Sequence, residues 1–318
     1  MGERVPLFSL DKNSSTILRG IAILSVLLGH TGYYVLGGAG GVALFLILSG
    51  YGLNLSCEEK GFALFWDKRL RKVFLPYFFV GLFALAGRRI WEPRAIVCTL
   101  LGLDLGLIAD PTMWYISYIL LWYLVYYVLA RLSLLIGKPW LRRLLLFLAL
   151  VGASFGFRLL YARGFWHPES GASLYSYAFP LGVALSCLTE FKVKESTRSL
   201  FQLSFLFVTA AYMLGSYSFV NSELMAMMMG LFPLSIVLAV RIRGRLEALL
   251  LWFGRYSYPI YLFEGLLLFQ RSRLFAKMTY KPLIDLTYFA VTIAMALIYW
   301  EGAYKKFETL LPKKLLPF

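Results

Sequence analysis

Apolar windows of about twenty residues recur along almost the whole chain, and a helix needs a window of that length to cross the hydrocarbon core of a bilayer. No other feature constrains the fold as strongly. In lipid, each backbone N–H and C=O must be paired inside the protein, so a chain of such windows folds as a bundle of helices. The windows are read at 15–36, 39–57, 70–90, 112–133, 141–161, 172–190, 200–217, 222–240, 247–270 and 283–304. The stretch 93–109 is apolar too, but short and broken by glycine (LLGLDLGLIAD). It is expected as a re-entrant or interfacial element before the fourth span. With 60% hydrophobic and 15% charged residues in 318, the composition is that of a membrane protein. The expectation is an all-α polytopic protein of about ten transmembrane helices. It forms a single domain over 1–318, with no appended soluble domain.

The net charge of +15 raises the question of nucleic acid. Excess Lys and Arg on a hydrophobic scaffold is better explained by the positive-inside rule, and no nucleic-acid partner is expected. With the N-terminus inside, basic residues on the cytoplasmic side outnumber those outside more than two to one. Both termini then face the cytoplasm, which requires an even number of spans, and the chain is placed in the cell (cytoplasmic) membrane. The basic N-terminus and the apolar run after it resemble a signal peptide. However, no small-residue cleavage pattern follows, so the first segment is read as a retained helix. Cys57, Cys98 and Cys187 are scattered, without the paired spacing of a disulfide framework or metal motif. No metal is expected.

Arg19 and His30 stand inside the first apolar window. Ionisable groups within membrane helices are costly and mark function by default. Eleven residues at about 100° each return to within about 20° of the starting direction. The two side chains therefore share a helical face, about 16 Å apart along the axis. An anionic donor could be held at Arg19 and reacted at His30. His30 is the candidate general base, since an unperturbed imidazole titrates near neutrality.

The second window, GAGGVALFLILSGYGLNL, is rich in small residues that let backbones approach closely. A short turn joins it to the first helix, so the two are antiparallel neighbours. Ser49 is expected near Arg19 at the cytoplasmic end. The next loop, FWDKRLRKVFLPYFF, concentrates Lys68, Arg69, Arg71 and Lys72. Arginine matches phosphate oxygens bidentately, so this cluster is a candidate dock for a phosphorylated cytosolic molecule, with Ser49 assigned to the same donor.

Taken in order, these segments resemble the acyltransferase-3 family of membrane O-acyltransferases. RGIAILSVLLGH has that family's Arg, ten residues, then His. GGVALFLILSGYGL resembles its Ser-Gly-Tyr second helix, and the Arg69-to-Pro76 stretch its basic loop. TMWYISYILLWYLVYY and WFGRYSYPIYLFEG resemble later segments, so the likeness covers nearly the whole chain. It implies transfer of an acyl group, commonly acetyl, from cytoplasmic acyl-CoA (acetyl-CoA) to a hydroxyl of a cell-envelope carbohydrate. That acceptor would be an exopolysaccharide or a lipid-linked glycan. The family's functional pair would fall on Arg19 and His30, and its paired loop arginines on Arg69 and Lys72. Lysine at 72 gives a point charge where a fork is usual, and Arg71 stands beside it as a substitute. Many members carry a His where this chain has Glu264.

The remaining intramembrane charges are supporting candidates. Glu264 lies in the ninth window and must be protonated, paired or wet. Arg255, nine positions earlier on a comparable face, is its candidate partner. Arg158, Glu301, Glu223 and His167 are weaker candidates for structural or acceptor-side roles. The alternative function is a secondary transporter, which also places Arg, His and Glu inside the bilayer. The chain shows no duplicated halves of the kind common in such transporters.

Overall fold

A computed structural model describes residues 4–32, 37–167, 170–215, 223–268, 279–312 and 314–315. These residues are overwhelmingly helical, as the lipid argument requires. In chain order the helices are α1 (Lys12–His30), α2 (Gly37–Lys60), α3 (Phe65–Arg88), α4 (Pro93–Leu101), α5 (Trp114–Ser133) and α6 (Pro139–Ala162). They continue as α7 (Ala178–Cys187), α8 (Glu195–Gly215), α9 (Glu223–Ala239), α10 (Gly244–Arg255), α11 (Ser257–Leu268) and α12 (Lys281–Leu310). Two short strands, β1 (Arg4–Pro6) and β2 (Lys192–Lys194), form an antiparallel ribbon with Val5 opposite Val193.

Six helical stretches among the described residues are long and apolar enough to cross a membrane. They are Gly38–Lys60, Phe65–Arg88, Pro111–Ser133, Pro139–Ala162, Ala172–Glu190 and Lys281–Leu310. The protein is an all-α, multi-pass membrane protein. The other four windows fall short of that standard for visible reasons. The first becomes Lys12–His30, with a polar opening turn, and residues 33–36 of the window lie outside the described residues. α8 carries Arg198 and Gln202 in its first turns, and α9 is only 17 residues long. The ninth window, expected as one helix over 247–270, is two helices that part at Tyr256. Pro259 has no N–H to offer the Arg255 carbonyl, so the helix ending on Arg255 gives way to a new first turn in which proline is tolerated. The element expected at 93–109 appears as the short helix α4 and an irregular segment reaching Asp110.

The described chain divides into two compact units. The first takes the chain up to Glu59, Trp122–Leu159 and Ser173–Arg255. Within it, α2 is gripped through glycines. A Cβ at Gly50 would overlap the Phe179 carbonyl of α7, and a Cβ at Gly182 of α7 would overlap the Ile47 carbonyl of α2. The same reciprocity joins α1 to α10: Gly20 lies on the Leu250 carbonyl and Gly254 on the Thr16 carbonyl. A buried polar chain crosses this unit, with Tyr126 Oη donating to Asn54 Oδ1 (2.8 Å) and Asn54 Nδ2 to Ser186 Oγ (2.8 Å). Trp122 stacks between Phe157 and Phe179, at 4.2 and 5.0 Å between centroids.

The second unit takes Lys60–Leu121, Leu160–Ala172 and the chain from Tyr256 onward. Its helices are tied by tyrosine hydroxyls that donate to backbone carbonyls. Tyr299 Oη reaches Pro76 O at 2.9 Å, Tyr258 Oη reaches Val73 O at 2.5 Å, and Tyr261 Oη reaches Thr112 O at 2.7 Å. Two of its helices contain wide π-turns, Leu70–Phe74 in α3 and Ile298–Tyr304 in α12.

Candidate functional site

α1 begins at Asp11, whose side chain accepts the Ser14 amide at 2.6 Å and caps the first turn. The helix then runs unbroken to His30, where the Thr31 hydroxyl closes the last turn on the Leu28 carbonyl at 3.0 Å. The face expected to be shared by Arg19 and His30 therefore rests on continuous helix. His30 is the final helical residue, so the imidazole lies at the end of α1 opposite its N-cap.

Burial around α1 fixes which way the two side chains leave. At about 100° per residue, Gly20, Ala22, Ile23, Ser25, Val26 and Leu27 fan out on both sides of the direction shared by Arg19 and His30. All six are buried. Ile21, Leu24 and Leu28, on the opposite side, are only half-buried. On one flank Gly20 packs on α10, and on the other Gly41 of α2 packs on Ala22, Ser25 and Val26. Arg19 and His30 thus leave the helix at the centre of its packed face, yet both are exposed. Ser49 is half-buried on α2 and lies about 80° around that helix from Gly41. Gly38, about 20° around α2 from Ser49, packs against Gly29 of α1.

The basic loop is the first part of α3. Leu70–Phe74 form a π-turn, in which the Leu75 N–H bonds the Leu70 carbonyl five residues back. In that register the next donor would be residue 76, which is proline and has none. The carbonyl left over is that of Arg71, and the hydroxyl of Tyr304 in α12 donates to it. The four basic side chains have different surroundings. Arg69 donates to the Phe65 carbonyl at 3.1 Å and lies 4.3 Å over the Phe65 ring. Arg71 donates from Nε to Asp67 Oδ2 at 2.9 Å and from Nη2 to the Pro312 carbonyl. Lys68 is half-buried and Lys72 is exposed.

Glu264 is fully buried in α11, and Tyr288 of α12 donates to its Oε1 at 2.8 Å. Arg255, in contrast, is exposed at the end of α10. The helical phase that would pair it with Glu264 does not run through the break at Tyr256. A second buried carboxylate, Asp110, is one that reading the sequence misses. Its Oδ1 accepts the Thr112 amide (3.0 Å) and hydroxyl (2.8 Å), and Arg88 Nη2 stands 4.0 Å away. Gly265, next to Glu264, packs directly on Thr112 and Asp110. An acid within the apolar stretch LLGLDLGLIAD is the signal that could have found it. Asp104, in the same stretch, is buried and accepts the His167 amide at 3.2 Å. Arg158 and Glu223 pair with each other at 3.0 Å, and Glu301 pairs with Lys305 at 2.7 Å. Among the described residues, no group of three or more His, Cys, Asp or Glu side chains is arranged to hold a metal ion.

These features define a class first: a polytopic helical membrane protein with an accessible guanidinium and imidazole on the packed face of one helix and a folded basic turn on another. The chain belongs, more particularly, to the acyltransferase-3 family, whose acyltransferase domain it matches over residues 12–301, from the first residue of α1 into the π-turn of α12. No curated protein and no solved structure matches the chain.

Proposed function

We propose that this membrane acyltransferase takes an acyl group, acetyl in the simplest case, from cytoplasmic acyl-CoA and passes it to a hydroxyl of a cell-envelope carbohydrate. The observation that carries the reading is the placement of Arg19 and His30 on the packed face of α1, where both remain accessible. Their separation of about 16 Å divides the labour. Arg19 holds the phosphorylated portion of the donor, and His30 serves the reacting end. His30 takes the proton of the acceptor hydroxyl as its oxygen attacks the thioester carbonyl. The tetrahedral intermediate expels the coenzyme A thiolate, and the imidazolium returns the proton to the departing sulfur. Taken by itself, the basic turn of α3 is a further cationic candidate for phosphate, with Lys72 exposed.

Ten crossings with both termini in the cytoplasm is the topology proposed, taking α10 and α11 together as one crossing and α4 as none. Contacts inside each unit support it, because each joins residues that this topology puts on one side. In the first unit, β1 pairs with β2, and Arg143 joins Glu58 and Glu190. Arg158 and Glu223 meet at the other side. In the second unit, Asp67 meets Leu315, and Asp104 meets His167.

The test uses sealed vesicles carrying the full chain, with isotopically labelled acetyl-CoA on the cytoplasmic side and envelope glycans read by mass spectrometry. His30→Ala should abolish transfer at unchanged membrane abundance. Arg19→Lys, which keeps the charge and loses the fork, should raise the donor KM more than it lowers kcat. Label that appears free on the far side without glycan acylation would favour transport.

A further inference from the structure

Asp67 is the one acid in the run FWDKRLRK, and a solvated surface position would be its ordinary fate. It is instead buried, at 6% exposure. Burying a carboxylate is costly unless its oxygens are paired, and both of these are. Oδ2 accepts from Arg71 Nε at 2.9 Å, and Oδ1 accepts the backbone N–H of Leu315 at 2.5 Å, from 248 positions away in the sequence. Arg71 completes the clasp by donating Nη2 to the Pro312 carbonyl. One oxygen of Asp67 and one guanidinium nitrogen of Arg71 are therefore bonded to the main chain of Leu315 and Pro312. That stretch brings a further cation: Lys314, next to Leu315 in the chain, is exposed.

We infer that the stretch carrying Pro312, Lys314 and Leu315 is a built part of the donor-binding surface. Asp67 and Arg71 clasp it against the basic turn, so that Lys314 and Lys72 together present exposed positive charge to the phosphates of acyl-CoA. The inference rests on the acyl-CoA reading above. It changes the role of Arg71, which becomes a positioning residue whose guanidinium is committed to Asp67 and the tail. Lys314 gains a binding role that its place outside the family match, which stops at residue 301, gives no reason to expect.

The experiment is a titration of coenzyme A onto the full-length chain in detergent. Lys314→Gln should weaken binding by up to about fivefold, the range of an exposed charge pair, and the loss should fade in high salt. Asp67→Ala is the sharper variant. Removing a negative charge beside an anion site tightens binding by electrostatics alone, whereas losing the clasp weakens it; weaker binding is expected. The double variant should bind no worse than Asp67→Ala, because both changes act through one segment. Wild-type affinity in Lys314→Gln, tighter binding in Asp67→Ala, or full additivity of the two would overturn the inference while leaving the donor reading intact. Failure of the unaltered chain to bind coenzyme A would overturn both.

Discussion

The two units solve the same problem, holding helices together in lipid, by opposite means. Lipid tails are as apolar as leucine, so burial alone gives helices little reason to associate. The first unit removes side chains: Gly20, Gly50, Gly182 and Gly254 bring backbones into direct contact, in reciprocal pairs. The second unit extends them, with Tyr258, Tyr261, Tyr299 and Tyr304 reaching across to carbonyls of neighbouring segments. Glycine contact gives close, straight seams, which suits a long helix presenting Arg19 and His30 in register. Tyrosine bonding tolerates irregular backbone, which suits a π-turn that displays a basic cluster.

The contrast can be broken by substitution, and the largest effects belong to the glycine seams. Gly182→Val and Gly254→Val place a branched side chain where a carbonyl already stands. Overpacking of this kind costs about 1–3 kcal/mol or more, so both should sharply reduce folded protein in fluorescence-detected size exclusion. The tyrosine bonds are next. Tyr304→Phe removes the donor from the half-buried Arg71 carbonyl, a loss of about 1 kcal/mol. It should lower the thermal midpoint and raise the donor KM, while Tyr212→Phe, outside this network, should do neither. A comparable effect is expected at the N-cap of α1. The Ser14 amide holds the Asp11 carboxyl below its ordinary range. A carboxyl depressed in the folded state stabilises above its unfolded pKa, and that contribution is lost as pH falls through the folded value. Asp11→Ala should cost about 1 kcal/mol at neutral pH, and the gap from wild type should narrow in acid. Arg158→Ala, breaking an exposed pair with Glu223, should change stability by no more than about 1 kcal/mol.

What is legible in the sequence is local. Arg19 and His30 share a face because eleven residues of unbroken helix lie between them, and helical phase is a property of the segment itself. Glycines in α2 announce close approach for the same reason, although not which helices approach. What is not legible depends on partners far along the chain. Nothing in FWDKRLRK shows that Asp67 will be buried under Leu315, or that Arg71 will give its guanidinium to a tail. The phase relation that suggests Arg255 as a partner for Glu264 assumes one helix. Pro259 ends that assumption through a missing donor, and Glu264 finds Tyr288, on the next helix, for its Oε1. Asp104 and Asp110 are visible as acids in an apolar stretch, but what they meet, the His167 amide for Asp104 and Gly265 of α11 for Asp110, appears only in the fold.

The Tyr304 bond to Arg71 sets an order of assembly. The carbonyl that the π-turn and Pro76 leave over is served by a hydroxyl 233 positions downstream. The ribosome therefore delivers the basic turn long before the group that completes it. Until α12 has entered the bilayer, that turn lacks the hydroxyl that serves its Arg71 carbonyl. The basic turn is thus completed only once α12 has been made, and a fragment released before that point would carry the turn without the hydroxyl that closes it.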